Sequence, residues 1–370
     1  MQQIKKKTRD SNLEILRIIS MLLIIGHHFA IYGVFPKTPL FPRLFVDFLA
    51  IGGKIGVVCF MMITGYFMLE SKYKTKKLLS LIIQTWTYSV GILIVFTFIG
   101  RTFSLSEVVH SLFPIIFREY WFITGYVIVY VLSPYLNMMV HKMKRKDLET
   151  LLMTFFILFI GINTFFFSSL GNQHEHFTYL IYIYLIGAYI KKYYEKSISS
   201  GVNKHYFYGF ICCYIFILFS MFGFEIFHAS NEWVKTYIAL NRIPAFLAGV
   251  YLFLYFKTLK TKQYPLLNKI AGMTLGVYLF HDNPFVRYYL WKNLVNTYAL
   301  FYSRLFIIYS ILIILAIFIT GIIIEWTRVW LMNRKIIQKI YNKLEDKVLK
   351  ILDYDVSKAW KSSFHFLFLK

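Results

Sequence analysis

Charge is scarce in this chain, and acid is the scarcest part of it. Asp and Glu number 18 in 370 residues, charged residues together make up 16%, and 58% of the chain is hydrophobic. A soluble domain of this length needs far more polar surface to cover its core. Cysteine is nearly missing: only Cys59, Cys212 and Cys213 occur. Their spacing fits no zinc site, an adjacent pair is poorly placed to bridge, and all three lie in apolar runs, so they read as buried apolar residues. No cleavable leader is expected either. The first apolar run carries Glu14, Arg17 and two histidines and lacks a small-residue cleavage site, so it is expected to be retained. There is no internal repeat, no low-complexity tract and no second, soluble domain.

Long apolar runs fill the space. Mean hydropathy is +0.56, and stretches such as Ile311–Ile319 are continuous rather than alternating. Short alternating segments would suit a membrane β-barrel; near-continuous ones predict an all-α, polytopic transmembrane helical bundle in the cell membrane. At roughly 20 residues per crossing, about ten spans can be drawn: 12–34, 46–69, 78–100, 120–140, 149–169, 177–192, 205–228, 236–256, 268–286 and 304–331.

The net charge of +23 invites a nucleic-acid reading, but the basic residues are spread through the loops between these spans. One alternate set of connections holds Lys5, Lys6, Lys7 and Arg9, then lysine groups near 72–77, 142–146, 191–204 and 257–269, then the C-terminal tail. The other set is thinly populated, with residues such as Lys37, Lys54, Arg101 and Arg287 at loops and helix ends. That alternation predicts both termini in the cytoplasm. The chain therefore divides into a cytoplasmic N-terminal tail (1–11), a transmembrane domain (12–334) and a cytoplasmic tail (335–370). In the tail, Ile336, Ile340, Leu344 and Val348 recur every four residues among charges. The pattern fits an amphipathic helix on the inner leaflet or a solvated helix packed on the bundle.

Chemistry concentrates in the first span. Arg17 and His28 are eleven residues apart, so on a helix they lie within about 20° of one stripe and some 16 Å apart along the axis. Ionisable groups inside a membrane are costly and usually face the bundle interior. Glu14 precedes Arg17 by three residues and can pair with it, whereas His27 is rotated about 80° from Arg17. The plain alternative is that Glu14 and Arg17 snorkel to the interface while His28 is a satisfied buried histidine. The second span holds Gly56 and Gly65, which allow close helix approach, then Thr64 and Tyr66, and exits at Lys72, Lys74, Lys76 and Lys77. Those lysines serve topology, or gather donor phosphates. The fourth span opens with Tyr120-Trp121, which an aromatic belt also explains, and carries Pro134, which should end or kink it. The ninth span contains His281-Asp282, a second intramembrane candidate. His174 and His176 flank Glu175 in one outer loop, too few ligands for a metal site, and no metal is expected.

Together these segments resemble the acyltransferase 3 family of bacterial integral-membrane proteins that acylate surface glycans. Ser11-Asn12-Leu13-Glu14-Ile15-Leu16-Arg17 with His28 is similar to the family's Arg-x10-His signature, and Phe60-Met61-Met62-Ile63-Thr64-Gly65-Tyr66 to its Phe-Phe-x-x-Ser-Gly-Tyr segment. The Tyr120-Trp121-Phe122 to Ser133-Pro134 and Tyr278-Leu279-Phe280-His281 segments match further landmarks. Met61, Thr64 and Glu14 depart from the commonest residues while keeping size or chemistry. The resemblance implies transfer of an acyl group, usually acetyl from acetyl-CoA, to a sugar hydroxyl of a cell-surface or lipid-linked glycan. It implies a catalytic set of His28, as base or acyl relay, with Arg17, Glu14 and His281. Arg17, Lys72, Lys74, Lys76, Lys77 and Tyr66 would serve the donor. The expected partners are the glycan acceptor, membrane lipid and separate glycan-assembly proteins, not nucleic acid. A transporter or flippase of lipid-linked saccharide would also use buried Arg and His, a glycan polymerase would want larger outer loops, and an inert scaffold leaves the Glu14/Arg17/His28 stripe unexplained. Capsule, teichoic acid, peptidoglycan and exopolysaccharide acceptors fit the sequence equally.

Overall fold

The computed structural model describes residues 11–36, 38, 40–166, 177–195, 203–226, 242–260, 263–334 and 346–347. Fifteen helices lie among them. They are α1 (Ser11–Tyr32), α2 (Leu40–Met68), α3 (Thr75–Phe98), α4 (Leu105–Leu112), α5 (Trp121–Lys142), α6 (Arg145–Phe156), α7 (Ile162–Phe166), α8 (Phe177–Tyr189) and α9 (Asn203–Ile226). They continue with α10 (Ile243–Thr258), α11 (Pro265–Ala271), α12 (Thr274–His281), α13 (Pro284–Tyr289), α14 (Thr297–Phe301) and α15 (Phe306–Met332). A π-helical stretch, Ile157–Gly161, joins α6 to α7 as one rod, and others extend α8 to Tyr194 and α13 to Leu294. No β-strand occurs among the described residues, as expected where backbone groups must be satisfied within each segment.

Among the described residues seven helices are long and apolar enough to cross a membrane: α1, α2, α3, α5, the α6–α7 rod, α9 and α15; α10 is apolar but shorter. The expected span at 268–286 is not one helix. It breaks at Gly272-Met273 and again at Asp282-Asn283, where the Asn283 side chain caps α13 by accepting from Phe285 N and Val286 N. The tail at 335–345 and 348–370, the 174–176 loop and positions 236–241 of the expected eighth span lie outside the described residues.

Packing follows small residues. Cβ atoms added at Gly65 of α2 or Gly187 of α8 would overlap the backbone carbonyls of Tyr184 and Met62, so these helices cross backbone to backbone. Lipid gives no hydrophobic drive for helices to associate, so such close approach supplies the contact. α5 continues through Pro134 to Lys142. The carbonyl that Pro134 cannot serve, that of Tyr130, accepts instead from Ser133 Oγ at 2.7 Å, so the residue expected to end the helix is accommodated by its neighbour. Cys59 is buried, but Cys212 is exposed and Cys213 half-buried on α9. The expectation of three buried cysteines fails there because α9 turns an apolar face outward, with Ile215, Phe216 and Phe219 also exposed.

The lysine-bearing connections gather at one end of the bundle. Lys191 lies 3.6 Å from Glu70, Lys192 donates to the Val140 carbonyl at 2.7 Å, and Asn12 donates to the Leu259 carbonyl at 3.0 Å. At the opposite end Val34 bonds Thr297 and Arg101 stacks on Phe285.

Candidate active site

One stripe of α1, from Arg17 through Ile24, His27 and His28 to Tyr32, lines a cavity of about 480 Å³. The fifteen helical steps from Arg17 to Tyr32 span about 22 Å, most of the roughly 30 Å hydrocarbon core of a bilayer. Walls from α2, α3, α5 and α12 complete it. Arg17 marks its lysine-rich end and His28 lies deeper, as the helical spacing predicts. Both ends of the Arg-x10-His stripe therefore face a single space.

His28 meets His281 across the helix boundary, Nδ1 to Nε2 at 3.0 Å, and both are buried. The break after α12 makes this possible, because it leaves His281 at a helix end aimed at α1. His281 Nδ1 lies 2.6 Å from the Val277 carbonyl. A carbonyl can only accept, so that nitrogen carries the proton. The Nε2 of a neutral His281 then accepts, and His28 Nδ1 donates to it. Nε2 of His28 is left as the basic nitrogen, and the arrangement is that of a base oriented by a partner on its other nitrogen. Asp282 does not orient His281, its neighbour in sequence. Its Oδ1 stands 3.6 Å from His28 Nδ1 and 3.6 Å from Arg287 Nε. Arg287 in turn donates to Tyr32 at 2.9 Å, which ties α13 to the end of α1.

His27 also lines the cavity, although the helical wheel turns it from Arg17. Its Nδ1 donates to the Ala50 carbonyl at 2.5 Å, and Gly53 leaves room for its ring, since a Cβ there would overlap it. Tyr120 is buried, with its hydroxyl donating to the Leu279 carbonyl and accepting from Asn283. Trp121 lines the cavity. The belt reading of this pair gives way to two roles, one stapling the His281 turn and one facing the reaction space.

At the other end Arg17 pairs with Glu14 at 3.0 Å. Glu14 is buried while Arg17 is partly exposed where it lines the cavity. Of the expected donor lysines, Lys77 lines the cavity, while Lys72, Lys74 and Lys76 are exposed at its rim side of the bundle without lining it. Tyr66 is not brought to the cavity. It faces the opposite side of α2, donating to Glu195 at 2.7 Å with Lys191 and Lys257 about its ring.

Two functional candidates escaped the sequence reading. Lys54, assigned there to a loop or helix end, is buried fourteen residues into α2, lines the cavity and sits 5.0 Å over the Trp121 ring. α2 begins at Leu40, earlier than the hydropathy suggested, because Arg43 and Asp47 pair at 3.2 Å within the helix. An intramembrane lysine was the available signal. Arg287, also assigned to a loop, is the residue that holds Asp282. Among the described residues no group of three or more metal-ligating side chains converges.

No curated protein and no solved structure matches the chain. The family described as an acyltransferase domain matches residues 10–326, a stretch that takes in the Arg17–His28 stripe, the cavity walls and the His281 turn. This chain, with seven apolar helices of membrane-spanning length among its described residues and a buried His28 that lines a cavity and meets His281 behind it, belongs to the acyltransferase 3 family of membrane acyltransferases.

Proposed function

We propose that this protein moves an acyl group, most simply acetyl from acetyl-CoA, to a hydroxyl of a cell-surface or lipid-linked glycan at the cell membrane. The observation that carries the reading is the single cavity reaching from Arg17 to the His28–His281 pair. Both termini are cytoplasmic in this reading, so acyl-CoA enters at the lysine-rich end. Arg17 and Lys77 meet its phosphates, with Lys72, Lys74 and Lys76 adding attraction from the rim. The thioester arm extends toward His28. A hydroxyl is a weak nucleophile and needs a base; Nε2 of His28 takes its proton as the oxygen attacks the thioester carbon. The proton passes to the departing CoA sulfur, so hydroxyl and acyl-CoA become ester and thiol. Asp282 steadies the transient imidazolium. Lys54, the cavity-lining cation at the His28 end, stabilises the oxyanion. The acceptor arrives at the His28 end, supplied by membrane lipid or separate glycan-assembly proteins.

The test is transfer from radiolabelled acetyl-CoA in membranes carrying the protein, with a pool of envelope glycans, wild type beside His28→Ala. Label entering glycan only with wild type supports the reading. A folded, inserted His28→Ala protein that transfers at the normal rate removes His28 from it. Glycan translocation that needs no donor would favour a transporter.

A further inference from the structure

One of the buried carboxylates that the mechanism does not use lies on α15. Glu325 of α15 is 3% exposed in a segment fit to cross a membrane, where an unpaired charge is very costly. Donors converge on it from two helices. Arg328 bonds both oxygens at 2.7 and 2.8 Å, Tyr88 gives its hydroxyl to Oε2 at 2.8 Å, and Gln84 gives Nε2 to Oε1 at 3.0 Å. α12 presses close with Gly276, where any Cβ would collide with the Glu325 side chain.

Of this group only Gln84 lines the cavity. It lies on the α3 stripe that begins at Lys77, about 10 Å further in by helical rise. A carboxylate accepts only, so Nε2 must face Glu325; a flipped amide would set two oxygens against each other in a low-dielectric interior. The carboxylate therefore fixes which end of the amide is turned away. Gln84 makes no other hydrogen bond among the described residues, and its Oε1 remains an acceptor on the cavity wall, between the cationic entrance and His28.

We infer that Gln84, held by Glu325 as a positioning residue, reads an amide N–H on the arm of the acyl donor. The inference rests on the acyl-CoA reading above. In that donor the pantetheine amides fall between the phosphates and the sulfur, as Gln84 falls between Lys77 and His28. The contact selects an amide-bearing thioester over a plain alkyl one.

The experiment compares two donors, acetyl-CoA and the amide-free S-pentyl thioacetate, on wild type and Gln84→Met in detergent-solubilised full-length protein. Loss of one neutral hydrogen bond predicts KM for acetyl-CoA rising about five- to tenfold, with kcat within about twofold and KM for S-pentyl thioacetate unmoved. In the same protein, inhibition by pantetheine should weaken while inhibition by adenosine 3′,5′-bisphosphate holds. Equal losses with both donors would make Gln84 merely structural, and no change with either would remove it from the donor path; both overturn the inference. Wild type that transfers from no acyl-CoA would instead overturn the donor reading itself. If Gln84→Met does not fold, Gln84→Asn, which keeps the amide but shortens its reach, must show the same split between donors, and its absence there overturns the inference.

Discussion

A buried histidine is a base only if one nitrogen is kept bare and aimed. Here the Val277 carbonyl fixes His281, and His281 fixes His28. His281→Ala removes the acceptor for His28 Nδ1 and should lower kcat about 10²-fold. His281→Gln offers an amide oxygen in its place and should recover part of that loss, as single-turnover transfer would measure. Lys54→Met should lower kcat about 10²-fold, as loss of an oxyanion contact does, while KM for acetyl-CoA stays put. A parallel rise in KM would instead assign Lys54 to donor binding.

Helices bring these residues together by where they cross and where they stop. Gly65 and Gly187 let α2 and α8 touch backbone to backbone, which sets the wall that carries Lys54 and Phe60. Gly65→Val should force the helices apart and lower the detergent melting temperature by several degrees, a loss of about 1–3 kcal/mol, measurable by thermal unfolding of purified protein. The breaks bounding α12 do the opposite service: they free the His281 end from a continuous helix. Outside the spans, α4 starts with a capping box in which the Ser104 backbone N–H and hydroxyl both hold Glu107. Those bonds, with Arg101 beside them, hold the Glu107 carboxyl below its ordinary range. Stability from this contact is thus present above the ordinary carboxylate pKa and fades as pH falls through the lowered value. Protection of the α4 amides against hydrogen exchange should therefore fall as the medium is acidified through that lowered value, and Ser104→Ala, which removes the hydroxyl contact and leaves the backbone one, should weaken that pH dependence without removing it.

The whole molecule is a bundle whose solvent is lipid. Large apolar side chains such as Phe98, Ile311, Ile319 and Trp326 stand exposed on its outside, while Arg17, His28, Lys54 and Gln84 line the cavity. Gathering the lysine-bearing loops at one end fits an alternating path through the membrane. Single cysteines placed at Lys74 and Lys144 should react with a membrane-impermeant maleimide only from the cytoplasmic face, and one at Ser104 only from the outer face. Labelling of Lys74 and Ser104 positions from the same side would overturn the proposed orientation.

Composition and spacing were enough for the membrane class, for most helix positions and for the Arg17–His28 stripe, because a 3.6-residue period and an apolar run are local properties of the chain. The Glu14–Arg17 pair was equally local. What only the tertiary structure decided is which distant residues share a space. Nothing in the chain order announces that His281 meets His28, that Asp282 serves α1 and not its neighbour, or that Glu325 orients Gln84. Tyr66 and Lys77 stand eleven residues apart, yet only Lys77 reaches the cavity, since the face a helix presents inward is chosen by the helices packed against it. Lys54 shows the same limit from the other side. Its charge pointed to a loop, whereas the structure sets it on the cavity wall with the Trp121 ring beside it.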